Sequence, residues 1–181
     1  MSNAELPTQV DAYRIFEQDC QRQGQLPLTM FPRLGALLVS DEGEMHATLH
    51  FSFDSEKRRV LQGSVRSQVQ VRCQRCLEAM SQQLDSDFLV AVVASDDLAR
   101  ELPAEFEPVI VSEQELDLLA LLEDELIMAL PDFPLHQEQE CPATPVLEDI
   151  NASANAELAD AAQEKENPFS VLADIKGKLD K

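Results

Sequence analysis

The stretch VRCQRCLEAM, residues 71–80, sets Cys73 and Cys76 at Cys-x-x-Cys spacing. That spacing supplies half of a tetrahedral zinc site, a dithiol redox motif, or merely the end of a packed strand. A closed zinc site requires two further donors. His136 and Cys141, in PLHQEQEC, are the candidates, provided the fold closes the 59 residues between Cys76 and His136. In the competing reading Cys73 packs inside a sheet and Cys76 is incidental. Thioredoxin-like chemistry fits poorly, because such a dithiol sits between a strand and a helix, whereas this pair joins two alternating segments. His46 and His50 share one face of a predicted strand, where solvated histidines are commoner than metal ligands.

Paired carboxylates offer no hydrolytic site. Glu123, Asp124 and Glu125 are adjacent on one predicted helix with no nucleophile or base close by in sequence. Asp124 and Glu125 read as a solvated helix face. Glu123 falls inside the apolar stripe, and burying it unpaired would cost several kcal/mol, so it requires a cation, with Arg75 the first candidate. Six basic residues, Lys57, Arg58, Arg59, Arg66, Arg72 and Arg75, lie in a stretch from 57 to 77 that contains no acid. They are candidate phosphate contacts for RNA, although no stacking aromatics interleave with them.

The elements that position these residues follow from periodicity. A short helix is expected from Asp11 as N-cap, with Ala12, Ile15, Phe16 and Cys20 on one face and Gly24 as its stop. Pro32 and Gly35 break the next stretch into a turn of helix or irregular chain. MHATLHFSF alternates as a half-buried strand, DSEKR turns, and RVLQGSVRSQVQVRCQ alternates again, with Gly63 marking a bulge or bend. A third strand follows from Ser81 and a short fourth after Pro108. The main helix is expected over 112–130, with Leu116, Leu119, Ala120, Leu126, Ile127 and Leu130 as its apolar stripe. Leu121, Leu122 and Met128 fall off that stripe, so the helix sinks deeply or offers a second surface. Residues 143–166, rich in Ala, Glu, Asp and Asn, read as a flexible acidic linker. A capped amphipathic helix follows, with Asn167 as N-cap and Phe169, Leu172, Ile175 and Leu179 on one side.

The net charge of −20 is lopsided, since residues 1–76 hold nine bases and nine acids while residues 77–181 hold five and twenty-five. An acidic half beside a basic stretch steers charged partners, or simply keeps a protein soluble. No apolar run approaches a membrane span, and the N-terminus lacks the basic and apolar regions of a signal peptide, so a cytoplasmic location is expected.

The order of these motifs resembles the YceD family, the large ribosomal RNA subunit accumulation proteins, over essentially the whole chain. The resemblance rests on Cys73, Arg75, Cys76 and Leu77, on DLLALLEDELIMALP at 117–131, and on the closing Asn-Pro-Phe helix. Many relatives carry a cysteine-rich loop after the proline that ends the main helix; here it is thinned to His136 and Cys141. The resemblance implies a bacterial cytoplasmic factor for synthesis, processing or stability of 23S ribosomal RNA, and it carries no catalytic residues.

The expected architecture is α+β, a mainly antiparallel sheet packed against one long helix in a domain of residues 1–142. A linker at 143–166 and a docking helix at 167–181 follow. The expected function is ribosome biogenesis without catalysis, on ribosomal RNA or a pre-ribosomal particle. The alternatives are an acidic adaptor for a basic ribosomal protein or processing enzyme and, less favoured, a metal-dependent enzyme using zinc.

Overall fold

The computed structural model describes residues 6–111 and 114–162. The predicted terminal helix from Asn167 and the last residues of the predicted linker lie outside them. The chain divides into two compact units, Met1–Leu135 and His136–Lys181.

The alternating segments form the sheet they predict. β1 (Gln9–Asp11) and β7 (Glu115–Asp117) make a separate antiparallel pair. β2 (Cys20–Pro27), β3 (Glu44–Phe53), β4 (Arg59–Arg72) and β5 (Ala79–Val93) form an antiparallel meander, and β6 (Glu107–Ile110) joins it parallel to β5 after α3 (Asp96–Arg100). Met45, Ala47, Leu49 and Phe51 on β3 face the core with Leu61, Val65, Val69 and Val71 on β4 and Leu84, Phe88, Val90 and Val92 on β5. The intervening positions, among them His46, His50, Gln62, Arg66 and Gln68, line the solvated face, as period-two alternation requires. Gly63 is not a bulge: the register runs unbroken through its pairing with Phe88. Its missing side chain makes room for that ring, since a Cβ there would lie 2.0 Å from Phe88 Cζ.

Two expectations fail near the N-terminus. The helix predicted from Asp11 is a single turn, α1 (Arg14–Glu17), and residues 20–27 are strand β2 instead. CQRQGQLP lacks a clean apolar alternation because β2 is an edge strand, bonded only on its β3 side. Asp11 still organises the turn, its Oδ1 accepting from the amides of Tyr13 and Arg14 at 2.9 and 3.0 Å.

The main helix, α4 (Leu118–Met128), starts six residues later than predicted, at its cap Asp117, whose carboxylate accepts from the Ala120 amide at 2.9 Å. Its buried side is Leu118, Leu122, Glu123, Glu125 and Leu126, so Leu122 belongs to the core-facing stripe and Met128 remains exposed. Nor is α4 the long helix. α5 (Thr144–Ala162) is longer and occupies most of the stretch read as a flexible linker. The Ala-rich stretch has a high helix propensity, and Val146, Leu147 and Ile150 are exposed.

Glu125 also departs from expectation, since it is buried and not solvated. Its Oε2 accepts from the Ser86 hydroxyl on β5 at 2.9 Å. Burial pushes its carboxyl up, the Ser86 bond opposes this, and the nearby charges of Glu107 and Asp124 add to the rise. A carboxyl raised on folding stabilises the fold fully below the unfolded value and loses that contribution as pH climbs through the raised one. Glu125→Gln is therefore expected to flatten the decline in melting temperature from pH 4 to pH 8. If about 1 kcal/mol is recovered at pH 8, the gain is about 2–4 °C. An unchanged pH profile in thermal melts would assign the decline to other groups.

Candidate metal centre and basic strand

The Cys-x-x-Cys pair sits in the turn between β4 and β5. Cys73 donates its amide to Glu78 O at 2.9 Å and its carbonyl accepts from the Leu77 amide at 2.9 Å. The Arg75 amide points at Cys73 Sγ, 3.5 Å away, a contact of the kind that orients a sulfur ligand. Leu77 takes φ 64°, a left-handed conformation costing about 1 kcal/mol for a residue with a Cβ. The Gln74 amide donates to Pro134 O at 2.8 Å, which anchors the chain two residues before His136 beside the cysteine turn.

The ligand atoms of Cys73, Cys76, His136 and Cys141 lie within 4.8 Å of one another. A tetrahedral zinc ion with bonds of about 2.0–2.3 Å spaces its donors roughly 3.3–3.8 Å apart, so the set fits with slight closure. Cys73 and Cys141 are buried, Cys76 and His136 partly so. Three thiolates and an imidazole are a donor set suited to zinc, and four protein donors leave no open position for a reacting water. The arrangement can hold a metal such as zinc in a structural role. His46 and His50 are not part of it; His50 Nε2 meets Asp19 Oδ1 at 3.1 Å.

The six candidate basic residues do not form one patch. Arg59 and Arg72 begin and end β4, whose 14 residues span roughly 45 Å at ~3.3 Å each. Arg66 pairs with Asp85 at 3.1 Å, and Arg72 Nη1 donates to Leu77 O at 3.2 Å. Arg75 lies in the cysteine turn. Arg58 Nε reaches Asp54 Oδ2 at 2.6 Å and stacks 5.1 Å from the Phe106 ring centre. Arg59 lies 4.4 Å from the Tyr13 ring centre and 5.9 Å from that of Phe53. The aromatics missing from the linear stretch thus arrive from three other segments, a convergence that local sequence does not encode.

The cation on Glu123 is Arg33, where sequence pointed to Arg75. Arg33 Nε donates to Glu123 Oε2 at 2.8 Å, and Glu123 Oε1 accepts from the amides of Arg33 and Leu34 at 2.6 and 3.1 Å. These amides belong to α2 (Pro32–Gly35), so the carboxylate caps that short helix from α4. Arg33 also reaches Asp124 Oδ1 at 2.6 Å. Burial alone would push the Glu123 carboxyl up, but the Leu34 amide, the Arg33 guanidinium and the Arg33 amide together hold it below the usual carboxylate range.

A solvated antiparallel sheet face, a helix-backed core and a Cys3His donor set define a small α+β protein with a closed metal-type centre. The family model described as large ribosomal RNA subunit accumulation protein YceD matches residues 61–176, and the chain belongs to that family. A Haemophilus influenzae protein of the same description is 35% identical over 179 residues, covering 98% of this chain and all of the relative. No solved structure matches it significantly. Among the described residues, no helix is long and apolar enough to cross a membrane.

Proposed function

We propose that the protein is a non-catalytic, cytoplasmic ribosome-biogenesis factor that supports synthesis, processing or stability of 23S ribosomal RNA by binding RNA directly, with zinc as a structural ion on Cys73, Cys76, His136 and Cys141. The observation that carries the role is the end-to-end match to a relative named for large ribosomal RNA subunit accumulation. The closed four-donor set supports binding over chemistry. Contacts from Lys57, Arg58, Arg59, Arg66, Arg72 and Arg75 supply the RNA-facing charge.

Reversing all six charges is expected to remove RNA crosslinking in cells and to lower the 23S to 16S ratio to that of a deletion strain. A variant that still restores the ratio would sink direct contact through these residues.

A second reading, an acidic adaptor holding a basic ribosomal protein or processing enzyme, is favoured by α5. Its exposed Val146, Leu147 and Ile150 lie beside Glu148 and Asp149, an apolar stripe edged with acid that suits a basic partner. Protein capture that survives ribonuclease, and that is lost on Ile150→Asp, would support the adaptor; capture abolished by ribonuclease would count against it.

A further inference from the structure

We propose that the turn between β3 and β4, with the cleft beside it, is a binding site for one nucleoside-phosphate unit of single-stranded RNA; this rests on the direct-contact reading above and narrows it to Lys57, Arg59 and their surroundings. The turn is held rigidly. Asp54 Oδ1 accepts from the amides of Glu56 and Arg58 at 2.8 and 2.9 Å, Oδ2 accepts from Arg58 Nε, and the Lys57 amide donates to Asp54 O at 3.1 Å. Lys57 itself takes φ 61°, a left-handed conformation that the turn's hydrogen bonds hold in place.

The pairing of charges marks this turn. Among the described residues Arg14, Arg33, Arg58, Arg66 and Arg100 each meet a carboxylate within 4.0 Å, whereas Lys57 and Arg59 meet none, nor do Arg22 and Arg72; of these four, Lys57 and Arg59 share a cleft. In a chain of net charge −20, two cations on either side of Arg58 that form no ion pair are a local positive site in a negative field. Arg59 is also preorganised: Tyr13 and Phe53 flank its guanidinium, and its buried Nε has no hydrogen-bond acceptor. A phosphate that approaches the guanidinium displaces no existing ion pair.

The space beside these cations has the size and lining for the rest of a nucleotide. A cleft of about 350 Å³ is lined by Lys57, Arg58 and Arg59 from the turn and by Val92, Leu98 and Leu102 from β5 and the α3 region. That volume falls within the range of small-ligand sites, and bases of single-stranded RNA commonly stack on apolar groups or guanidinium planes. Here the Arg58 plane, fixed by Asp54 and Phe106, and the half-exposed Leu98 provide such surfaces. Glu56 and Glu101 also line the cleft, so a phosphate is confined to the Lys57 and Arg59 side, while the carboxylates can accept from a ribose hydroxyl or an exocyclic amine. A base stacked inside a duplex cannot enter, which selects a single strand.

The test uses the full chain and a fluorescently labelled, mixed-sequence, 12-nucleotide single-stranded RNA, with anisotropy measured at 50 and 200 mM salt. The double variant Lys57→Glu, Arg59→Gln is expected to bind at least ~10-fold more weakly and to reduce the salt slope by about 0.7, the share of one phosphate contact to a single strand. Lys57→Arg should bind as the parent does, and Leu98→Asp, at a half-exposed position, should weaken binding without altering the thermal melt. Arg66→Glu with Arg72→Glu should have less than a threefold effect. Equal losses from both double variants would overturn the local site while leaving RNA contact standing. Absence of RNA binding by the parent protein would overturn both. Adenosine 5′-monophosphate and uridine 5′-monophosphate form a separate arm: saturable binding of either, lost on Lys57→Glu, with no RNA binding, would reassign the cleft to free nucleotides. An oligoglutamate peptide that displaces the RNA as effectively as unlabelled RNA would also overturn nucleotide recognition.

Discussion

Replacing Cys73 by serine is expected to abolish stoichiometric zinc and to lower the thermal stability of the purified protein by more than 10 °C. Structural zinc in small peptide sites contributes about 10–16 kcal/mol of apparent binding free energy, and loss of one thiolate from a closed set forfeits much of it. Elemental analysis of protein purified without chelators should give close to one zinc per chain for the parent and close to none for Cys73→Ser. His136→Ala should behave alike, because its imidazole completes the same set. By contrast, Cys20→Ser should retain full zinc, since the Cys20 thiol sits 3.8 Å from Ile15 O and is not part of the donor cluster. Parent protein purified without metal and indifferent to added zinc would refute the assignment.

The second large effect is expected at Glu123. Truncating it to alanine removes the acceptor for two α2 amides and leaves Arg33 without its buried partner. Leaving those amides without an acceptor costs about 1–3 kcal/mol, to be read from the midpoint of urea denaturation at pH 7, while the half-exposed Arg33 keeps Asp124 as a partner. Asp124→Asn is expected to cost less than about 1 kcal/mol, because that contact is exposed. The pH dependence has the opposite sign to that of Glu125. A carboxyl held low in the fold stabilises it above the unfolded value, and the contribution is lost as pH falls through the lowered one. Acid therefore weakens the Glu123 contact and relieves Glu125, two positions apart on one helix. A Glu123→Ala midpoint within experimental error of the parent would mean that α2 is held to α4 by packing alone.

The contrast between those two glutamates shows what sequence could and could not reveal. The apolar stripe was visible enough to mark Glu123 as buried and in need of a cation. It could not indicate Arg33, because 90 residues separate them and a cation closer to the helix in sequence offered itself first. Glu125 looked solvated because the predicted stripe included Leu119 and omitted Leu122, a small rotation of the helix that exchanges one carboxylate's environment. Strands β3 to β5 were legible because each buries one face, which imposes strict alternation. Strand β2 was not, since an edge strand with glutamines and a glycine carries no such signal. Helix α5 was hidden by its composition: few large apolar groups resemble disorder, although alanine favours helix on its own. The four candidate donors that the fold brings together were suggested by residue type and Cys-x-x-Cys spacing, while the aromatic partners of Arg58 and Arg59 needed the fold.

The longest pairing in the molecule, β4 with β5, closes locally through the cysteine turn, so this arm requires no residue beyond Val93 for its backbone ladder. His136 and Cys141 emerge from the ribosome only after a further stretch of chain. At about 5–20 residues per second, the 60-residue separation of Cys76 and His136 amounts to roughly 3–12 s of synthesis. During that interval a nascent hairpin carries Cys73 and Cys76 ahead of His136 and Cys141. Were the cluster to hold a metal, its four donors would be complete only once translation had passed residue 141.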